Sequence, residues 1–149
     1  MTEIFPVFDV PEIPAQEVGT QRYYESMLFD FNIGDFVRDG SNKVVRCDGK
    51  TAWLQWCVKT VLTQRFSCLA YNSDIGTELE EAFAETDRQA AQSSLERTIT
   101  EALLADPAGR TQCVKNFSFA WGADHVDVSF EVTGVEGSTE QLSIELKGG

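Results

Sequence analysis

Residues 126–133 read VDVSFEVT. Val126, Val128, Phe130 and Val132 alternate without a break with Asp127, Ser129, Glu131 and Thr133. A period of two puts the apolar set on one side of a strand and the polar set on the other, which predicts a β-strand with one buried and one wet face. The flanking segments repeat the pattern. Upstream, 114–121 (VKNFSFAW) sets Val114, Phe117, Phe119 and Trp121 against Lys115, Ser118 and Ala120, with one slip, and Gly122-Ala123-Asp124 then supplies turn chemistry. Downstream, beyond Gly134 and Gly137, Leu142, Ile144 and Leu146 form a third alternating run. Connections this short join antiparallel neighbours, so the C-terminal third reads as a three-stranded antiparallel sheet with one covered face.

The cover is legible upstream. From about Asp87 to Ala105, Ala91, Leu95, Thr98, Ile99, Ala102 and Leu103 fall on one helical face, with Thr86 or Asp87 to cap the start and Pro107 and Gly109 to stop it. A second helix is expected from about Lys50 to Arg65. Asp48 is its N-cap, Ala52, Trp53, Trp56, Cys57, Thr60 and Val61 share a face, and Lys50, Gln55 and Lys59 lie elsewhere. Glu78 to Glu85 reads as a short acidic helix after an irregular stretch at 66–77. Residues 27–37 and 43–47, punctuated by Gly34, Asp39-Gly40 and Asp48-Gly49, predict a small hairpin. Residues 1–20 carry Pro6, Pro11 and Pro14, which disfavour a helix, together with Ile4, Phe5, Val7, Phe8, Val10 and Ile13. They read as an extended arm whose apolar groups pack either on its own domain or on a neighbouring subunit; the sequence leaves both open. The expected fold is therefore α+β: a small antiparallel sheet with two main helices packed on it, an N-terminal arm (1–20) and a single domain (21–149) ending in an edge strand.

The length of 149 residues suits one domain, which at this size buries roughly 68–70% of its unfolded surface and needs neither disulfide nor metal to fold. A net charge of −12 repels nucleic-acid phosphate and anionic membrane, and no basic run offsets it; the charge serves solubility or steers the chain toward a basic partner. Cys47, Cys57, Cys68 and Cys113 form no C-x-x-C pair. The N-terminus lacks a signal-peptide pattern and no apolar run is long enough to span a membrane, so synthesis in the cytoplasm is expected.

Chemistry is hard to place in this sequence. There is one histidine, His125, and no ligand spacing for zinc. Neither phosphate-binding glycine motif occurs. Glu78, Glu80 and Glu81 cluster in a polar run, which reads as a solvated helix face. Glu101, just before Ala102 and Leu103, is expected to be partly buried and paired with Arg97 or Arg110, as a structural residue. No catalytic, cofactor or metal site is expected, and the chain reads as a binding protein rather than an enzyme.

Five segments carry a resemblance: FDFNIGDFV (29–37), TAWLQWCVKTVLTQRF (51–66), LAYNSDIGTELE (69–80), LERTITEALLADPAGR (95–110) and VKNFSFAW (114–121). In order and spacing they resemble the XkdS-like phage baseplate proteins, which are related to the small lysozyme-like wedge protein, or sheath initiator, of contractile tails. The resemblance implies a structural subunit in the tail baseplate of a phage or tailocin, made in the host cytoplasm and present in six or more copies. Its implied partners are baseplate wedge proteins and the tail sheath protein, with tube or hub proteins beyond them. It implies that the chain joins the wedge to the first sheath ring and templates sheath assembly by β-strand addition, for which Gln141, Leu142, Ser143, Ile144, Glu145 and Leu146 are the candidate strand. It also implies a wedge contact through an acidic–Pro–Arg motif after the long helix. Here Asp106 and Pro107 match, while Ala108 and Gly109 separate them from Arg110. Phe5 and Phe8 are the arm's candidate contacts. Two other readings stand beside this one: a small peptidoglycan hydrolase, which needs a carboxylate in an apolar cleft, and a generic acidic adaptor.

Overall fold

A computed structural model of the protein describes residues 23–65 and 75–147. The 1–20 arm, with Phe5 and Phe8, lies outside the described residues, as does 66–74 of the irregular stretch.

The three C-terminal runs form one antiparallel sheet of order β5-β6-β7: β5 is Thr111–Trp121, β6 is His125–Gly134 and β7 is Thr139–Lys147. β6 is central, and burial alternates along all ten of its residues, with Val126, Val128, Phe130 and Val132 fully buried. β6 and β7 pair in unbroken register from His125↔Lys147 to Thr133↔Thr139. β5 is irregular: its register with β6 shifts between Thr111 and Cys113 and again between Lys115 and Ser118. At the second shift Asn116 adopts φ 58°, a left-handed conformation that asparagine tolerates better than most residues. This bulge is the physical cause of the slip in the sequence alternation. It returns Phe117 to the covered face, where its ring stacks on Phe130 at 5.3 Å.

Two helices cover the apolar face. α1 is Gly49–Leu62, and the Asp48 carboxylate accepts the Thr51 amide at 2.7 Å at its start. It buries Ala52, Trp53, Cys57, Thr60 and Val61, while Trp56 is half-buried. Trp53 is fully buried and donates its indole N–H to Thr111 Oγ1 at 3.1 Å, which ties the helix to the start of β5. α1 stops three residues short of Arg65 because Thr63 turns extended; Arg65 N–H then donates to Thr77 and Thr77 N–H to Thr63. The acidic segment keeps one short helix, α2 (Leu79–Phe83). α3 is Arg88–Leu104, capped by Asp87, and buries Ala91, Leu95, Thr98, Ile99, Ala102 and Leu103. α3 lies on β5, α1 reaches β7, and the fold is the expected α+β class with helices on one sheet face.

The N-terminal β segment is more than one hairpin. β1 (Ser26–Met27) pairs with β4 (Arg46–Cys47), and β2 (Phe29–Asp30) pairs with β3 (Asp35–Phe36). Three backbone bonds close a ring among these segments: Leu28 N–H to Val45, Val45 N–H to Val37, and Val37 N–H to Leu28, at 2.8–3.0 Å. Gln55 holds the unit on the outer side of α1, accepting the Phe29 amide at 2.8 Å and donating to the Met27 carbonyl at 3.1 Å. Tyr23 anchors the entry, edge-on to Trp53 at 5.7 Å.

Candidate partner-binding surface

Among the described residues, the candidates for chemistry fall in separate places: Cys57 in the core, Glu78 to Glu81 at α2, Glu101 on α3, and His125 at the start of β6 with Asp124 and Asp127 at 2.9 and 3.8 Å. Among the described residues, no three His, Cys, Asp or Glu side chains gather as metal ligands. His125 Nδ1 sits 2.9 Å from Asp124, whose hydrogen bond raises the imidazole above its usual range and lowers the Asp124 carboxyl. Cys57 is fully buried, and desolvation pushes its thiol up to about 12. Glu101 corrects the sequence expectation: it is exposed, not partly buried, and pairs with Arg97 at 3.6 Å across one helical turn. Glu80 and Glu81 are exposed, whereas Glu78 is half-buried and meets Arg65 at 3.5 Å.

Arg110 faces Asp106 instead of Glu101. The Asp106 side chain is 1% exposed and accepts four hydrogen bonds. Two come from the backbone amides of Ala108 and Arg110, at 3.1 and 3.0 Å, and two from the Arg110 guanidinium, at 2.8 and 3.1 Å. The two intervening residues make this closure possible: Gly109 adopts φ 63° and turns the loop back. The guanidinium also lies 5.4 Å above the Trp56 ring. The Arg110 carbonyl accepts from the Tyr23 hydroxyl and from Val135 N–H, both at 2.9 Å. The loop after α3 thus clasps the N-terminal entry and the β6–β7 turn together. Pro107 is exposed at its tip.

The second feature is the β7 edge. Ile144 and Leu146 are buried and Leu142 half-buried, all on the helix side; Gln141, Ser143 and Glu145 are exposed on the wet side. Gly134 N–H bonds Ser138 O at the turn, which sets the phase of the ladder. In an antiparallel pair, hydrogen-bonded and non-bonded positions alternate. Glu140, Leu142, Ile144 and Leu146 therefore bond β6, and the backbone groups of Thr139, Gln141, Ser143, Glu145 and Lys147 point away from it. The close Oγ contacts Ser129–Ser143 (3.1 Å) and Thr133–Thr139 (3.0 Å) fit the closer spacing of non-bonded pairs. Among the described residues, nothing pairs with this outer row.

A third surface had no sequence signal beyond the apolar content of the hairpin. Met27, Phe31, Phe36 and Leu62 are each 40–47% exposed and, with Trp56 and Lys59, line a groove of about 540 Å³ between the β1–β4 unit and the outer side of α1.

A family model, the contractile injection system sheath initiator, matches residues 25–137. The match begins just before β1 and ends in the β6–β7 turn, so it takes in the clasp and stops before β7. No curated protein matches the chain significantly. The chain belongs to the contractile injection system sheath initiator family, and its role is structural, in contact with sheath and baseplate components of the particle.

Proposed function

We propose that this subunit joins baseplate wedge proteins to the first sheath ring and templates the sheath by accepting a β-strand along Gln141–Leu146. One observation carries the reading. β7 is a regular edge whose outer row is unpaired among the described residues, whereas the opposite edge, β5, is broken by two register shifts. A regular edge offers a row of amides and carbonyls to an incoming chain, and a bulged one does not. Pro107 and the Arg110 loop form the wedge-facing side in this reading, with Asp106 holding the loop from within, and Phe5 and Phe8 of the arm extend the contact. Synthesis is in the host cytoplasm, and no catalytic step is involved.

The test is Ser143→Pro in the producing particle. Ser143 directs its amide away from β6, so proline there blocks an incoming strand and leaves the β6–β7 ladder intact. Removing residues 139–149 is a poorer test, since it takes the buried Ile144 and Leu146 from the core. Negative-stain electron microscopy should show baseplates and tubes without sheath, or sheath polymerised apart from baseplates. Normal sheathed tails, with the variant's melting temperature within a few degrees of wild type, sink the mechanism.

A further inference from the structure

The β7 edge does not stand alone, because a flank of α1 runs beside it. Lys50 of α1 pairs with Glu140 at the start of β7 at 2.5 Å, which marks that side of the helix as the one facing the strand. Leu54 and Val58 continue the same stripe at four-residue spacing. Both are half-buried and pack against the core from its margin. The other flank of α1 is turned toward the loop that follows α3, as the Arg110 guanidinium over Trp56 shows. Since α3 covers β5 and α1 reaches β7, Leu54 and Val58 lie on the side where the sheet ends.

We infer that the β7 edge and the Leu54–Val58 flank form a single slot that selects a partner strand by its alternation: apolar, preferably β-branched, residues on the helix side and Ser, Thr, Lys or Arg on the wet side. The inference rests on the reading of β7 as a strand acceptor and adds the chemistry of what is accepted. A strand hydrogen-bonded to Gln141, Ser143 and Glu145 lies about 4.8 Å beyond β7. Its inward side chains fall beside Leu142 and Ile144 and cover Leu54 and Val58. Its outward side chains join a polar face made of Ser129, Ser143, Thr133 and Thr139, where a basic residue of the incoming strand would share Glu145 with Lys147, now 3.7 Å from it. A one-residue slip places polar groups on Leu54 and Val58 and apolar groups in water, so the slot also sets register.

The full chain is titrated with two nine-residue peptides of identical composition. One alternates Val or Ile with Thr or Lys; the other places the same residues in apolar and polar blocks. Binding is followed by amide NMR and by hydrogen exchange of the outward β7 amides. The alternating peptide is expected to bind at least tenfold tighter and to slow exchange at Gln141, Ser143 and Glu145. Val58→Thr, which keeps the side-chain shape, is expected to lower the preference severalfold with the fold retained by circular dichroism. Equal binding of both peptides with β7 protected overturns the selective slot and leaves strand addition standing. Absence of β7 protection with either peptide overturns both.

Discussion

Replacing Asp106 by alanine removes the acceptor of four hydrogen bonds at once. The carboxylate is 1% exposed and the guanidinium 12%, so solvent screens this pair little. The variant strands the Arg110 charge over Trp56 and orphans the amides of Ala108 and Arg110. Breaking a buried pair from one side costs about 3–5 kcal/mol. For a domain of this size each kcal/mol lowers the melting temperature by roughly 2–4 °C, so a fall on the order of 10 °C is expected. The damage should spread, because the clasp positions the Arg110 carbonyl that holds Tyr23 and Val135. Arg110→Ala should cost less, since Asp106 keeps its two backbone donors. Thermal unfolding by circular dichroism on both single variants and the double variant closes the cycle, with a coupling of about 1–3 kcal/mol expected. A wild-type melting temperature for Asp106→Ala, or additive single effects, refutes the clasp and returns Arg110 to the surface as a docking residue.

Cys57 should resist thiol reagents in the native protein at pH 8, since burial holds its thiol near 12, whereas the half-buried Cys47 and Cys113 react first; rapid native labelling of Cys57, read by peptide mass mapping, contradicts the packing of α1. The His125 imidazole should titrate above pH 6.5 by NMR, and Asp124→Asn should bring its midpoint down. The sign follows from the raised folded value: the contribution is fully present below pH 6.5 and is lost as pH rises through the folded midpoint, while the lowered Asp124 carboxyl loses its share on acidification through its own folded value. An unchanged His125 midpoint in Asp124→Asn dismisses the pair.

Local pattern was enough for much of the fold. The alternation of Val126 to Thr133, the α3 face from Ala91 to Leu103, and the caps Asp48 and Asp87 each express a relation among residues a few positions apart, set by the period of the backbone. The slip at Asn116 was visible too, although only the ladder shows that it spoils β5 as an edge. The candidate strand at Gln141–Leu146 could be drawn from the sequence, but which of its amides point outward depends on the β6 register and on the β6–β7 turn. Other features join residues far apart in the chain, and there only tertiary structure decides. Trp53 reaches Thr111, Gln55 on the polar side of α1 holds Phe29, and Lys50 meets Glu140 at the start of β7. Asp106 and Arg110 are near in sequence, yet their side chains meet only because the left-handed Gly109 folds the loop back and buries the carboxylate, with Pro107 left exposed at the tip. Periodicity tells each element which face to bury, whereas which elements then meet, and which edge stays open, is settled by their joint packing.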